Sequence, residues 1–342
     1  MTGFPSHFFI GKRRVGPGEP CLVIAEAGVN HFGSLDKAFR LVDMAVGAKA
    51  DVFKLQHFRT DELVGAQAPE WRERLRPKEL SDEHVRAVKE YCDSKSVQFL
   101  CTGHDGSVID FLDKDLDVPA FKIGSGELEN WPFIEDIARR GKPIILSTGM
   151  YRTAQIKRAI DVIGAAGRPP LAILHCVTEY PAAPETINLR VMDEIRSFFG
   201  GPVGYSDHTA GTAIPLAAVA LGADIVEKHI SIDFDVPNAQ DWKVSCGPHN
   251  LTQFVSDIRS IESALGGDLK TLTVAEESSI RWARKSLTAA CKIHAGETIT
   301  RDMLVARRPG TGIPPSDIDK VLGRKARSEI SPDEIIDWAS LG

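Results

Sequence analysis

The sequence predicts an α/β protein, with a (β/α)₈ TIM barrel followed by a small β-rich C-terminal domain. Eight short apolar runs alternate with amphipathic helical segments between residues 22 and 230. The runs are almost wholly apolar, which is typical of parallel strands covered by helices on their outer face. Eight such units also match the usual size of a barrel, about 250 residues. From about Lys285 onward the pattern changes to short β-rich pieces and turns.

Each predicted strand is a short run that ends in polar or small residues. The strands are CLVIAE (21–26), DVFKLQ (51–56), QFLCT (98–102), AFKIGS (120–125), PIILST (143–148), LAILHC (171–176), PVGYSD (202–207) and DIVEKH (224–229). A doubly wound open sheet is the alternative. It is disfavoured because the first strand leads into AEAGVNHFGS, which does not fit the glycine-rich nucleotide loop.

These patterns divide the chain into three parts. Residues 1–270 are predicted to form the barrel, 271–284 a linker that carries some helix, and 285–342 the small domain.

Composition excludes several classes of protein. Lys and Arg number 41 against 47 Asp and Glu, a net charge of −6, and no basic run suggests binding to nucleic acid. No apolar stretch reaches the roughly 20 residues of a membrane span, and the first residues lack a signal-peptide core. The six cysteines show no paired spacing, so we expect reduced, buried thiols in a cytoplasmic protein.

The predicted strands carry polar side chains at or near their carboxyl ends. These residues are Glu26, Lys54, Gln56, Thr102, Lys122, Ser125, Ser147, Ser206, His208 and His229. In a barrel the carboxyl ends of the strands form the active-site mouth. We therefore expect these side chains to converge there.

Two of these residues are lysines embedded in apolar sequence, VFKLQ and AFKIGSG. An unpaired ammonium is costly to bury, so Lys54 and Lys122 are expected to bind an anion. With the hydroxyl residues they suit a phosphorylated carboxylate such as phosphoenolpyruvate (PEP).

The two histidines at adjacent strand ends, His208 and His229, suggest a metal site. Neutral imidazole is a common ligand of Mn, Zn, Ni and Fe, and two histidines without a thiolate suggest an open catalytic site. The other eight histidines, including His31, His57 and His104, are expected in loops or on the surface.

Several motifs, in this order, resemble the sialic acid (nonulosonic acid) synthases: IAEAGVNHFGS, FKIGSGE, ILSTGM, EYPA, YSDHT, EKHI and RPGTG. The resemblance runs from about Leu22 to the C-terminus. It implies a PEP-dependent carbon–carbon bond-forming transferase, with a barrel followed by an antifreeze-like (SAF) domain. It also implies a domain-swapped homodimer and an N-acyl amino-sugar substrate, N-acetylmannosamine or a related hexosamine.

The resemblance also implies roles for individual residues. The residues implied to contact the phosphate and carboxylate of PEP are Lys54, Thr102, Lys122, Ser125, Ser147 and Ser206. Gln56 and Tyr180 are implied to line the site. The implied catalytic set is Glu26 and Asp241 at the sugar and Glu127 as acid or base. Arg308 would reach the partner's site. His208 and His229 would hold a divalent metal, Mn²⁺ first, with Mg²⁺ or Co²⁺ as alternatives.

The sequence departs from the family pattern on the sugar side. The loop after the second strand contains Trp71, Arg72 and Arg74 and no Asn, and Trp242 directly follows Asp241. We expect these changes to reshape the sugar pocket. Two other functions stay open from the residues: a Schiff-base aldolase with Lys122 as nucleophile, and a sugar-binding barrel without catalysis.

Overall fold

A computed structural model describes residues 3–267 and 269–342 of the chain. It contains a closed barrel of eight parallel strands, in the order β10-β3-β4-β5-β6-β7-β8-β9. The barrel strands are β3 (Leu22–Gly28), β4 (Val52–His57), β5 (Gln98–Gly103), β6 (Phe121–Ile123), β7 (Ile144–Ser147), β8 (Leu171–Cys176), β9 (Val203–Asp207) and β10 (Ile225–His229). The predicted barrel is confirmed, and each strand boundary lies within two residues of its predicted position.

Helices follow the strands and cover the barrel. They are α1 (Leu35–Gly47), α2 (Thr60–Leu63), α3 (Pro69–Leu75), α4 (Asp82–Ser94), α5 (Gly106–Asp110), α6 (Trp131–Arg139), α7 (Thr153–Ala165), α8 (Pro184–Ile187), α9 (Val191–Phe198), α10 (Ala213–Ala220) and α11 (Leu251–Leu265). Ser34 and Ser81 cap α1 and α4 by accepting a backbone N–H. The apolar faces of the long helices and the outward-facing strand residues form the main core.

Side chains inside the barrel change from apolar to polar along the strands. Because strand residues alternate between faces, each inward position is followed by another two residues later. On β4 the inward series runs Val52, Lys54, Gln56, and on β10 it runs Ile225, Glu227, His229. The apolar members form an inner core at the amino ends, so the polar members are confined to the mouth.

A short hairpin that the sequence analysis did not predict precedes the barrel. It pairs β1 (Phe8–Ile10) with β2 (Arg13–Val15). Phe8, Ile10 and Val15 pack in one cluster with the inner core at the amino ends of the strands. The hairpin therefore adds apolar packing at the end of the barrel away from the mouth.

The chain divides into two compact units, residues 1–266 and 267–342. The second unit contains α12 (Val274–Ala283), the antiparallel strands β11 (Ser286–Ala289) and β12 (Leu304–Arg307), and α13 (Ile318–Val321) around its own core. Helix α12 therefore occupies most of the predicted linker.

Five of the cysteines are buried, as expected, whereas Cys291 is exposed. In the described parts of the chain, no helix combines the length and apolarity needed to cross a membrane.

Candidate active site

A polar cavity of about 190 Å³ opens at the mouth of the barrel. The predicted site residues that line it are Glu26, Lys54, Gln56, Thr102, Lys122, Ser125, Ser147, Tyr180, Ser206, His208 and His229. The fold thus brings together residues from all eight strands or the loops that follow them. The cavity is also lined by four side chains that sequence reasoning did not assign to it: His104, Cys176, Thr178 and Glu227.

Lys54 lies at the centre of a buried ionic cluster. Its ammonium is 2.7 Å from Glu26 and 3.6 Å from Glu227, and it donates to the Thr102 hydroxyl at 3.1 Å. Burial would lower the pKa of Lys54, but Glu227 and Glu26 outweigh burial and raise it. Burial raises the pKa of Glu26 to about 7, although Lys54 opposes the shift.

Lys122 is the second buried cation of the cavity. Its ammonium donates to Ser147 at 2.8 Å and lies 3.5 Å from Glu227. Burial lowers the pKa of Lys122, and the neighbouring Lys54 adds to that effect, while Glu227 opposes it. The surroundings of the two lysines therefore differ, since Lys54 faces two carboxylates at short range and Lys122 faces one.

Glu227 connects the two lysines. Burial would raise its pKa, but Lys122 and Lys54 outweigh burial and hold it below the usual value. The hydroxyl of Ser206 donates to the same carboxylate at 3.0 Å. With Glu26, this residue makes the cluster two lysines and two carboxylates. Its signal in the sequence is an acidic residue two positions before His229 on one strand.

The two predicted metal-binding histidines are adjacent, with ring centroids 5.4 Å apart. Nδ1 of His208 donates to the Val177 carbonyl at 2.7 Å, which leaves Nε2 to accept from the Tyr180 hydroxyl at 2.8 Å. Nδ1 of His229 is buried without a hydrogen-bond partner in the described residues. Burial lowers the pKa of both imidazoles, so they stay neutral at pH 7.

These features fit a metal ligand pair. Neutral imidazoles with an available ring nitrogen are the form that binds divalent cations. The carboxylate of Asp241 lies 4.0 Å from Nδ1 of His229, and burial raises its pKa. Among the described residues, no group of three or more His, Cys, Asp or Glu side chains is arranged as a ready-made metal cluster.

A glycine allows the close approach of Asp241 and His229. Gly28 has a φ of +54°, and a Cβ at this position would lie 3.0 Å from the Asp241 carboxylate and 3.3 Å from the His229 ring. Any side chain would meet both residues and adopt an unfavourable backbone conformation. The glycine in the IAEAGVNH motif is therefore required by local packing.

Three predicted site residues do not line the cavity: Glu127, Arg308 and Asp241. The Glu127 carboxylate accepts from Asn130 at 2.7 Å and lies 3.8 Å from Nδ1 of His104, whose ring does line it. Arg308 belongs to the second unit, where its guanidinium lies 5.6 Å from the Trp282 ring centroid.

A second cavity of about 240 Å³ shares Gln56, His104 and Tyr180 with the first. Asp241 lines this second cavity. Trp71 and Arg74, from the loop that departs from the family pattern, also line it. The two other residues expected to reshape the pocket are absent from its lining. Arg72 donates to the Val64 carbonyl, and the Trp242 indole donates to the Val236 carbonyl at 3.1 Å within its own loop.

Behind the histidines lies a buried ion pair between Lys228 and Asp207. The Asp207 carboxylate also accepts from Tyr205 and Thr209. Each member of the pair is the chain neighbour of a predicted metal ligand, so the network fixes the two strand ends that carry the histidines.

The expectation that the remaining histidines lie in loops or on the surface is wrong for His57 and His175, which are buried in β4 and β8. His31 and His104 lie in loops as expected. His31 and His57 are buried, and His57 Nε2 lies 2.8 Å from Asp82. His104 lines both cavities. His57 is the last residue of β4, and His31 and His104 lie in the loops that follow β3 and β5 at the mouth of the barrel.

Comparison with known proteins identifies the family. Residues 41–270 match the NeuB family and residues 284–342 match the SAF domain. The chain is 36% identical to N,N'-diacetyllegionaminic acid synthase of Campylobacter jejuni, over 92% of this chain and 98% of the relative. It is 35% identical to human N-acetylneuraminate-9-phosphate synthase, over 95% and 93%.

A solved structure agrees with these relatives. The N-acetylneuraminic acid synthetase of Leptospira borgpetersenii, in complex with citrate, superposes with a TM-score of 0.75 at 32% identity, covering 81% of this chain and 96% of that one. The resemblance inferred from the motifs is thus confirmed. The chain belongs to the NeuB family of sialic-type acid synthases, which are carbon–carbon bond-forming transferases, and it carries a SAF domain.

Proposed function

We propose that this protein condenses PEP with an N-acyl amino-sugar aldehyde to form a nonulosonic acid and inorganic phosphate. The observation that carries the proposal is the pair of buried lysines beside a ring of hydroxyl groups. Lys54 and Lys122 supply positive charge, and the hydroxyls of Thr102, Ser147 and Ser206 line the same cavity. A small anion that carries both a phosphate and a carboxylate needs this combination of fixed cations and directed donors.

The condensation requires PEP to act as a carbon nucleophile. Its C3 forms a bond to the aldehyde carbon, the aldehyde oxygen takes a proton, and C2 becomes electron-poor. Water adds to C2, gives up a proton, and phosphate leaves with cleavage of the C–O bond. The lysines hold the phosphate and carboxylate so that C3 faces the aldehyde, which is the positioning contribution.

Proton transfer falls to the carboxylates around the cavity. We assign Glu127 as the base for the attacking water, with His104 between it and the cavity. We assign Glu26 and Asp241 to the sugar. Glu26 accepts from the Gln56 amide at 3.2 Å, and Gln56 lines both cavities, so these residues adjoin the point where the cavities meet.

We propose that His208 and His229 hold a divalent cation, with Mn²⁺ as the preferred ion and Mg²⁺ or Co²⁺ as alternatives. When bound, it would supply Lewis-acid polarisation of the aldehyde oxygen. The charges of the cavity support this assignment. Two lysines face two carboxylates, so the cluster gives an incoming PEP anion little net positive charge, and a cation would supply it. Binding through Nε2 of His208 requires the Tyr180 hydroxyl to give up its hydrogen bond.

We also propose that the protein is a homodimer in which Arg308 of one protomer completes the site of the other. The support is the family membership and the place of Arg308 in the SAF domain, in the RPGTG motif.

The test is PEP consumption with Mn²⁺ and a panel of N-acyl mannosamines and related amino sugars. We expect sugar-dependent loss of PEP with one phosphate released for each product formed. PEP that stays intact with every sugar of the panel would contradict the proposal.

One observation favours the aldolase alternative, namely the lowered pKa of Lys122. A neutral amine is the form that attacks a carbonyl carbon. Borohydride trapping with pyruvate separates the two functions, because only an imine is reduced to a stable adduct. The alternative of a barrel without catalysis is disfavoured by the synthase relatives.

A further inference from the structure

His104 lies where the two cavities of the barrel mouth meet. It is the first residue after β5, and its ring lines both cavities, as do only Gln56 and Tyr180 among the lining residues. Of these three kinds of side chain, imidazole is the one that readily takes up and releases a proton near neutral pH. A substrate that spans both cavities therefore passes next to a group suited to proton transfer.

The carboxylate of Glu127 lies outside the lining of both cavities. Gly124, Ser125 and Gly126 line the first cavity, but Glu127, the next residue, lines neither. Its Oε2 accepts from the Asn130 amide at 2.7 Å. A proton-transfer group must come within hydrogen-bond reach of the proton it moves, so this carboxylate needs an intermediate group to act on a substrate.

The ring of His104 is placed to be that intermediate group. Its Nδ1 lies 3.8 Å from Oε1 of Glu127, which is longer than a hydrogen bond, as is common for catalytic pairs before substrate binds. The ring meets Phe58 edge-on, with centroids 6.4 Å apart. Among the described residues, the ring nitrogens have no hydrogen-bond partner. With Nδ1 on the side of Glu127, Nε2 is the nitrogen left for a substrate.

We propose that His104 is a catalytic residue that exchanges protons directly with the reacting atoms, and that Glu127 is the positioning residue that orients its ring and stabilises its charged form. This inference rests on the proposed function. A base that is oriented by a carboxylate on its second nitrogen is a recurring catalytic arrangement.

One ring can serve both proton transfers of the condensation. The imidazolium of His104 gives its proton to the aldehyde oxygen as C3 of PEP bonds to the aldehyde carbon. The neutral ring then takes a proton from the water that adds to C2. Phosphate leaves with the electron pair of its C–O bond and takes the remaining proton of the C2 hydroxyl group. The ring ends in the form in which it began, so the protons balance without a further acid or base.

The test removes the ring and then adds imidazole back. His104→Ala should lower kcat for PEP consumption by about 100-fold or more, with KM for PEP changed less than about threefold, because proton transfer contributes in the transition state. Free imidazole should raise the rate of this variant by about tenfold or more. Pyrazole has the same shape but is a far weaker base, and it should not. His294→Ala, at an exposed position in the second unit, is the control and should behave as wild type.

A double variant tests the role of Glu127. Glu127→Gln should lower kcat with little change in KM for PEP. The double variant His104→Ala/Glu127→Gln should be no slower than His104→Ala alone, because the carboxylate acts through the ring. Losses that multiply in the double variant would show that Glu127 acts independently of His104.

The remaining outcomes separate this inference from the proposed function. A folded His104→Ala chain with wild-type kcat, or one that imidazole rescues no better than pyrazole, would overturn the inference, since the ring would then only fill space. If the alanine variant does not fold, His104→Gln should show the same loss of kcat, and wild-type kcat in that variant would refute the role. A wild-type protein that consumes no PEP with any sugar would instead contradict the proposed function itself.

Discussion

The ammonium group of Lys122 lies 3.5 Å from the carboxylate of Glu227, with both side chains buried in the mouth of the barrel. The same carboxylate lies 3.6 Å from Lys54. Glu227 therefore lies near both buried cations, and together with Glu26 it compensates their charges before any substrate arrives. The cost of burying Lys122 is offset only while Glu227 is present, because no other carboxylate of the described residues lies within 4.0 Å of its ammonium.

Replacing Glu227 should expose that dependence. Glu227→Gln keeps the shape but removes the charge, and we expect a loss of about 3–5 kcal/mol in the free energy of unfolding. PEP should raise the melting temperature of the variant more than that of the wild type, because the ligand restores the missing negative charge. Thermal unfolding with and without PEP measures both effects.

Glu329→Gln provides the control. Glu329 pairs with Lys292 on the surface at 2.9 Å, and such pairs contribute about 0–1 kcal/mol. A Glu227→Gln chain as stable as the wild type, with no larger shift from PEP, would show that the carboxylate does not balance the lysines.

A second prediction concerns the pH dependence of stability and involves a residue at the end of the barrel opposite the mouth. Asp224, just before β10, is buried and accepts the Val203 N–H at 2.8 Å. Burial raises its pKa to about 6. In the unfolded chain the pKa of an Asp is about 3.9. The raised pKa in the folded protein therefore contributes stability that is fully present below about pH 3.9 and is lost as the pH rises through 6.

Asp224→Asn should remove this pH dependence. Relative to wild type, its free energy of unfolding should increase by about 2–3 kcal/mol between pH 4 and pH 7.5, as measured by urea unfolding. Asp319→Asn, at an exposed position, is the control: its free energy of unfolding relative to wild type should change by less than about 0.5 kcal/mol over the same pH range. A constant difference between Asp224→Asn and wild type across this range would refute the assignment.

Much of the barrel and of the polar cavity at its mouth could be predicted from the sequence, because the barrel confines polar residues to the strand ends. The spacing of apolar runs placed each strand within two residues. Glu227 was missed because it lies inside the DIVEKH run, where only the inward alternation with His229 reveals it. The β1–β2 hairpin has three residues in each strand, too few for a pattern. The orientation of the Trp242 side chain, which does not line the second cavity, could not be predicted because it depends on the conformation of the loop that contains it.

Metal binding provides the third prediction. Exhaustive chelation should abolish PEP consumption, and added Mn²⁺ should restore it. His229→Ala should weaken Mn²⁺ binding, followed by electron paramagnetic resonance without substrate, by tenfold or more. His294→Ala, at an exposed position in the second unit, is the control. Full activity after chelation, or unchanged Mn²⁺ binding in His229→Ala, would rule out this site.

The fourth prediction tests the proposed dimer. Arg308→Ala and Glu127→Ala chains should each be inactive, because each lacks one group of the shared site. Mixed dimers should regain part of the activity, since one of their two sites receives both intact residues. Mixed dimers that are proven to form but stay inactive would show that Arg308 acts on its own chain.

The central claim is that PEP supplies carbon to the product within the cavity of Lys54 and Lys122. Mass spectrometry of the product made from fully ¹³C-labelled PEP and an amino sugar tests it most directly. The account predicts a product that carries every PEP carbon, equimolar phosphate, and no product from Lys122→Met. Unlabelled product, or a borohydride-trapped pyruvate adduct on Lys122, would contradict it.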